Sequence, residues 1–316
     1  MKAITYHYIR EKDLDFPNIV YLHSKNFYKQ IDFFDYKYGL ISKENFISSL
    51  KKGVSGSNEI ILTFDDGLSD HYFNVFKHLV NKETWGIFYI STGPYTDCKL
   101  LDVHRIHVIL SNLGGHKALT SLRKILEPKM IDQDKVDEFQ ESTYKLQDDS
   151  SSFTEFKKIL NYYVPLKWKS YLLDSLLRQN ISTSEEVKIA KEYYLSIEQI
   201  QEMHNSGMMI GAHTSHHNVL SNLDIKEQIK EINDSCDFLS NCIGEEVKTF
   251  AYPYGTKKTY TEETQKIIEN KGIDFGFAVD GRDITNVDLK DNRYAMPRYD
   301  CNQFKFGKNE SQFIDN

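Results

Sequence analysis

Alternating strand and helix signals predict an α/β fold, with a parallel sheet that closes, or nearly closes, into a barrel. Three observations carry this expectation. Short β-branched and aromatic runs crowd both ends of the 316-residue chain. Helical periodicity follows them in turn, and the stretch at about 101–194 is charged and helical in pattern, as expected of an insertion between strands. The chain therefore reads as one domain, residues 1–316, carrying that helical insertion; no repeat, low-complexity tract or proline-rich linker divides it further.

Taken in order, residues 3–8 (AITYHY) form the first strand, and residues 59–64 (EIILTF) form a buried one that stops abruptly at Asp65-Asp66-Gly67. A helix over 70–80 with Phe73, Phe76 and Val80 on one face leads to another apolar strand at 85–90 (WGIFYI). In the insertion, Leu119, Leu122, Ile125 and Leu126 are helically spaced, as are Leu172, Leu173, Leu176 and Leu177. Ser196 and Gln199 make a capping box for a helix that Asn205-Ser206-Gly207 ends, and the strand at 208–212 (MMIGA) follows. The helix over 224–241 shows Ile225, Ile229, Ile232, Cys236 and Leu239 on one stripe, with Asp224 and Glu227 at its start and Gly244 past its end. Strands at 247–252 and 275–279 flank a helix at about 261–271.

Composition narrows the function. With 39 basic and 46 acidic side chains the net charge is −7, and both signs are interleaved, so a nucleic-acid partner is not expected. Charges at Lys2, Arg10, Glu11, Lys12, Asp13 and Asp15 leave no signal-peptide core, and no apolar run approaches the roughly 18 residues of a membrane span. The expected location is cytoplasmic, with any membrane association peripheral, at the inner face. Cys98, Cys236, Cys242 and Cys301 lack metal-knuckle spacing and read as reduced structural thiols.

In a parallel α/β fold the chemistry gathers at the C-terminal ends of the strands. Asp65 and Asp66 stand at one such end. Two readings are open for them: a cap and a solvated carboxylate before a glycine turn, or a paired catalytic site. His213, His216 and His217, three of eleven histidines, follow the strand MMIGA. On one helical turn His213 and His217, four apart, would face the same way and could grip a divalent metal, with His216 a bystander; ordinary core or surface histidines are the other reading. Two imidazoles and one carboxylate make a three-ligand site open to water, and if Asp66 holds the ion, Asp65 can take a proton from that water. A third strand end, Tyr252-Pro253-Tyr254-Gly255, is either a plain turn or the source of a backbone N–H near Tyr254 for a developing oxyanion.

These residues carry a resemblance. The chain is similar to the polysaccharide deacetylases, the NodB-homology group also called carbohydrate esterase family four: Thr63 to Gly67 matches TFDDG, His213 to His217 matches H-[ST]-x-x-H, and Tyr252 to Gly255 holds x-P-Y-G. The resemblance implies a distorted (β/α) barrel of about seven strands and hydrolysis of N-acetyl groups on sugars. It implies a divalent metal, zinc before cobalt, nickel or manganese, with Asp66, His213 and His217 as ligands and Asp65 as base. Two features depart from the common pattern: Ala251 stands where many members have arginine, and no histidine follows His217 to supply the usual acid. The subgroup with FAYPYG suggests His7 for that role, against a half-buried strand histidine as the plain alternative. Arg298 resembles the family arginine that holds the catalytic carboxylate ionised, or else forms a surface salt bridge. His104, opening the insertion, is a weaker candidate for the cleft.

The expected reaction is removal of an acetyl or formyl group from an acylated amino sugar, nucleotide- or lipid-linked, as a precursor of surface glycan, with the insertion shaping recognition. Three rivals stay open: a non-catalytic sugar-binding module, a metal-dependent phosphohydrolase and a sugar O-deacetylase.

Overall fold

The computed structural model describes residues 1–12, 16, 18–56, 58–140, 151–308 and 314. Asp13, Asp15 and residues 141–150 of the insertion lie outside the described residues. The chain divides into two compact units, one of residues 1–11, 21–96 and 191–316, the other of residues 12–20 and 97–190.

The first unit is built on seven parallel strands: β1 (Lys2–Tyr6), β2 (Ile60–Phe64), β3 (Ile87–Ile90), β4 (Met209–Ala212), β5 (Thr249–Ala251), β6 (Phe275–Phe277) and β7 (Tyr299–Asp300). Their order across the sheet is β6-β5-β4-β3-β2-β1-β7. The chain entering β7 curls the sheet toward closure. Met296 N–H donates to Gly276 C=O and Ala278 N–H donates to Met296 C=O, so this segment binds β6 just before Tyr299 pairs with Ile4 of β1. The fold is thus a distorted, nearly closed barrel, as the sequence predicts.

The strands are short and buried on both faces, and their alternation sorts the core. Tyr6, Leu62, Phe64, Phe88 and Ile90 pack with helix residues such as Phe27, Ile31, Leu79, Ile200 and Ile232. Ala3, Ile61, Ile87, Tyr89, Ala251 and Phe277 form a second cluster with Phe46 and Leu50 of the helix Lys43–Lys52. Gly211 is required by the second cluster, since a Cβ there would meet the Tyr89 ring at 2.4 Å.

Caps fall where the sequence places them. Ser196 and Gln199 form a reciprocal box before Ile197–Asn205, Asp224 and Glu227 do so before Ile225–Ile243, and Gly244 ends the latter in the left-handed conformation. Two buried faces differ from expectation. In the segment after β2, Phe73 and Val80 are exposed, while His71, Val75, Phe76 and Leu79 are buried. A π-helical stretch, His71–Phe76, leads into the helix Lys77–Asn81, and the face turned to the core is the one on which His71, Val75 and Leu79 step by four, opposite Phe73 and Val80. In Ile225–Ile243 the stripe dips below the surface only from Ile232 onward; Ile225 and Ile229 are exposed, and Gln228 takes the buried place on the first turns.

The second unit is helical, with Asp102–Leu113, Gly115–Ile125, Gln133–Phe139, Ser151–Lys158 and Leu166–Leu177. Leu119, Leu122, Leu172, Leu173, Leu176 and Leu177 are buried as their spacing predicts, whereas Ile125 and Leu126 are only partly so. At its centre the buried Arg105 guanidinium donates to Glu186 at 2.7 Å. His104 is fully buried in Asp102–Leu113. All four cysteines are free thiols, and among the described residues no helix is long and apolar enough to cross a membrane.

Candidate metal centre and active site

The loops leaving β2, β4 and β5 share an unusual backbone. Among the described residues seven non-glycine positions have positive φ, and four of them are Asp66 (77°), Thr214 (61°), His217 (57°) and Tyr254 (62°). Left-handed conformations cost free energy in ordinary residues, so their concentration in these loops marks a place where side-chain direction outweighs backbone comfort.

Asp65 and Asp66 follow β2 directly but face different partners. Asp65 is gripped by Arg298 through two bonds, Nη1 to Oδ1 at 2.7 Å and Nη2 to Oδ2 at 2.8 Å. Thr5 Oγ1 donates to Oδ2 at 3.1 Å. Arg298 is itself fully buried, donates to Thr63 Oγ1 at 3.0 Å, and lies over the Tyr89 and Phe277 rings. Burial, the largest single influence, pushes the Asp65 carboxyl up, but the Arg298 charge and hydrogen bonds together with the nearby His213 and His7 outweigh it and hold the pKa at about 2. The surface salt bridge that the sequence left open for Arg298 is excluded.

Asp66 turns to the histidines. Its Oδ1 lies 3.4 Å from His213 Nε2 and 3.3 Å from His217 Nε2, and all three side chains are buried. His213 Nδ1 contacts the Ala251 carbonyl at 2.7 Å; because a carbonyl only accepts, the proton sits on Nδ1 and the Nε2 lone pair faces Asp66. The two histidines do not reach this point on one helical turn, as the spacing suggested. Residues 213–217 form a tight loop, closed by His217 N–H donating to Thr214 Oγ1 at 3.0 Å, and the left-handed turns at Thr214 and His217 bring the rings within 4.9 Å of each other. His216 points away, its ring and N–H both on Glu231.

His7 stands just past β1, side chain 46% exposed, with Nε2 4.0 Å from Asp65 Oδ2. It is about half-buried, as the plain reading had it, but stands just outside the strand. The Tyr254 ring rests against His217 at 4.9 Å. Sequence reasoning missed Thr5 and Thr63, which are direct partners in the β1–β2 register and both bear on the Asp65–Arg298 pair. The signal was available: two threonines at matching alternate positions in otherwise apolar strands. It also missed Glu231, whose role depends on packing between elements.

A polysaccharide deacetylase family model matches residues 172–276, which includes both histidines and the Pro253 turn but not the Asp65-Asp66 pair. Over that part of its length the chain is similar to polysaccharide deacetylases. A putative polysaccharide deacetylase of Bacillus subtilis is 33% identical over 88 residues, a match that spans 28% of this chain and 30% of that relative. The Streptococcus pyogenes deacetylase solved with acetate superposes with a TM-score of 0.56 at 16% identity, over 95% of this chain and 91% of that one. A de-N-acetylase from Aggregatibacter actinomycetemcomitans gives 0.51 at 13%, over 95% of both. At these identities the structures establish the shared deacetylase fold.

The donor set fits a divalent metal. In a tetrahedral shell with bonds near 2.0–2.1 Å, neighbouring donors stand about 3.3 Å apart, and the two separations around Asp66 Oδ1 are 3.4 and 3.3 Å.

Proposed function

We propose that this chain is a metal-dependent carbohydrate de-N-acylase that removes an acetyl or formyl group from an amino sugar, with zinc as the favoured metal. The observation that carries the reading is the convergence of Asp66, His213 and His217 beside a second carboxylate, Asp65, that Arg298 keeps ionised. Asp66 and the two Nε2 atoms would hold the ion. When bound, such an ion supplies Lewis acidity toward the amide carbonyl and acidifies a water molecule.

The remaining roles belong to the chain. Asp65 accepts a proton from the attacking water, and at a pKa of about 2 it is ready to do so throughout the neutral range. The backbone N–H near Tyr254 donates to the oxyanion that develops on the carbonyl. His7 delivers a proton to the departing nitrogen as the C–N bond breaks, giving a carboxylic acid and a free amine. Arg298 orients the base and neutralises its environment without touching substrate. An ester needs less help from an acid, so loss of His7 should separate amide from ester hydrolysis.

The test begins with metal analysis of the purified protein, then acetate and formate release from a panel of acylated amino sugars: free, nucleotide-linked, lipid-linked and polymeric. Asp66→Ala and His213→Ala should lose the bound metal and activity together. Phosphate release without acetate or formate, or full metal content in Asp66→Ala, would overturn the reading.

A further inference from the structure

The chain that leaves β1 with His7 is fastened at several points to the segment that leaves β2 with Asp65 and Asp66. His71 Nε2 meets the His7 carbonyl at 2.9 Å. Asn74 Nδ2 donates to the Ile9 carbonyl at 2.8 Å. Asp70 Oδ2 accepts from Ile9 N–H at 3.1 Å and from Arg10 Nε at 2.8 Å. The Arg10 guanidinium lies over the Tyr8 and Tyr193 rings, and Tyr193 donates its hydroxyl proton to Tyr8 at 2.9 Å. Asp70 precedes, and His71 and Asn74 lie within, the π-helical stretch His71–Phe76. Asp70 and Asn74 stand four apart and His71 and Asn74 three apart, so their side chains leave one face of this segment toward the end of β1, and π-turns recur at functional sites.

We infer that the π-helical stretch is a positioning device for the general acid, with His71 and Asn74 as positioning residues that hold the His7 backbone so that its ring stays beside Asp65. The inference deepens the de-N-acylase reading and rests on the assignment of His7 as acid. His71 suits the task. It is fully buried among Phe64 and Phe88, and burial lowers its pKa to about 4, so at neutral pH it is an uncharged ring whose single proton lies on Nε2 toward the carbonyl. A neutral donor fixes the backbone without adding a charge beside the metal ligands. Because the base, a metal ligand and these two clamps lie on one continuous stretch, 65–74, the spacing between acid and base is set within a single segment.

The experiment compares His71→Leu, which fills space without donating, with His71→Gln, which restores an N–H. Two substrates are used: the N-acyl sugar that wild type turns over in the panel, and 4-nitrophenyl acetate, whose leaving group departs without a proton. The expected result for His71→Leu is a fall in kcat on the N-acyl sugar of about tenfold or more, with KM, zinc content and ester hydrolysis unchanged, and recovery in His71→Gln. Equal loss on both substrates or loss of zinc overturns the inference, as does a crystal structure of His71→Leu in which His7 Nε2 keeps its 4.0 Å separation from Asp65. Asn74→Ala is read the same way should His71→Leu fail to fold. His7→Ala is the control: if it does not lose amide turnover selectively, the acid assignment itself falls, whereas selective loss there but not in His71→Leu overturns the positioning claim alone.

Discussion

Asp65 and Asp66 are chemically identical neighbours given opposite tasks by a single backbone torsion. The left-handed φ of Asp66 swings its carboxylate to the histidines, while Asp65 stays aligned with Arg298. Replacing Asp65 by Asn should leave metal content intact and lower kcat by a factor on the order of 10²–10⁴, the usual contribution of a general base. The same residue makes a stability prediction. Folding depresses its pKa from 3.8 to about 2, so its contribution is complete above pH 4 and disappears as pH falls toward 2, amounting to about 2 kcal/mol by linkage. Urea midpoints of wild type and Asp65→Asn should therefore differ most at neutral pH and converge between pH 4 and 2; a constant gap would show that Arg298 contributes nothing through ionic pairing.

Among the elements, caps were legible and buried faces were only half so. A capping box is decided by four consecutive residues, so Ser196–Gln199 and Asp224–Glu227 read correctly from sequence. Which side of a helix meets the core depends on its phase against the sheet, and after β2 the core takes the side of His71, Val75 and Leu79, exposing Phe73. The β2 turn supplies a prediction at this scale. Gly67 has φ of 66°, and a Cβ there would sit 2.8 Å from Ile90 Cγ2 of β3. Gly67→Ala should cost on the order of 1–3 kcal/mol in strain and displacement. Thermal unfolding measures it, and an unchanged midpoint would mean that the loop has room to relax.

At the scale of the whole molecule, the three strand-end loops converge only because seven parallel strands, separated by very unequal lengths of chain, settle side by side. Metal bound at their junction should then stabilise the entire first unit. At a free zinc concentration one hundred times the dissociation constant the gain is about 2.7 kcal/mol, visible as a rise in Tm that chelator reverses and that Asp66→Ala abolishes. Equal Tm with and without zinc would mean that the three ligands do not share one ion.

Sequence alone determined the fold class, the strand ends that matter, the helix caps and the candidate ligands, because each is written in a short run of residues whose periodicity or spacing has one dominant physical reading. Tertiary structure decided the rest. It brought Arg298 onto Asp65 across 233 positions and placed His7 at 4.0 Å from that carboxylate. It replaced an expected helical turn at 213–217 by a strained loop, and it set a buried histidine, His71, against the His7 carbonyl. These arrangements follow from sheet register and near-closure of the barrel, which sum many weak contacts along the whole chain and leave no trace in any one segment.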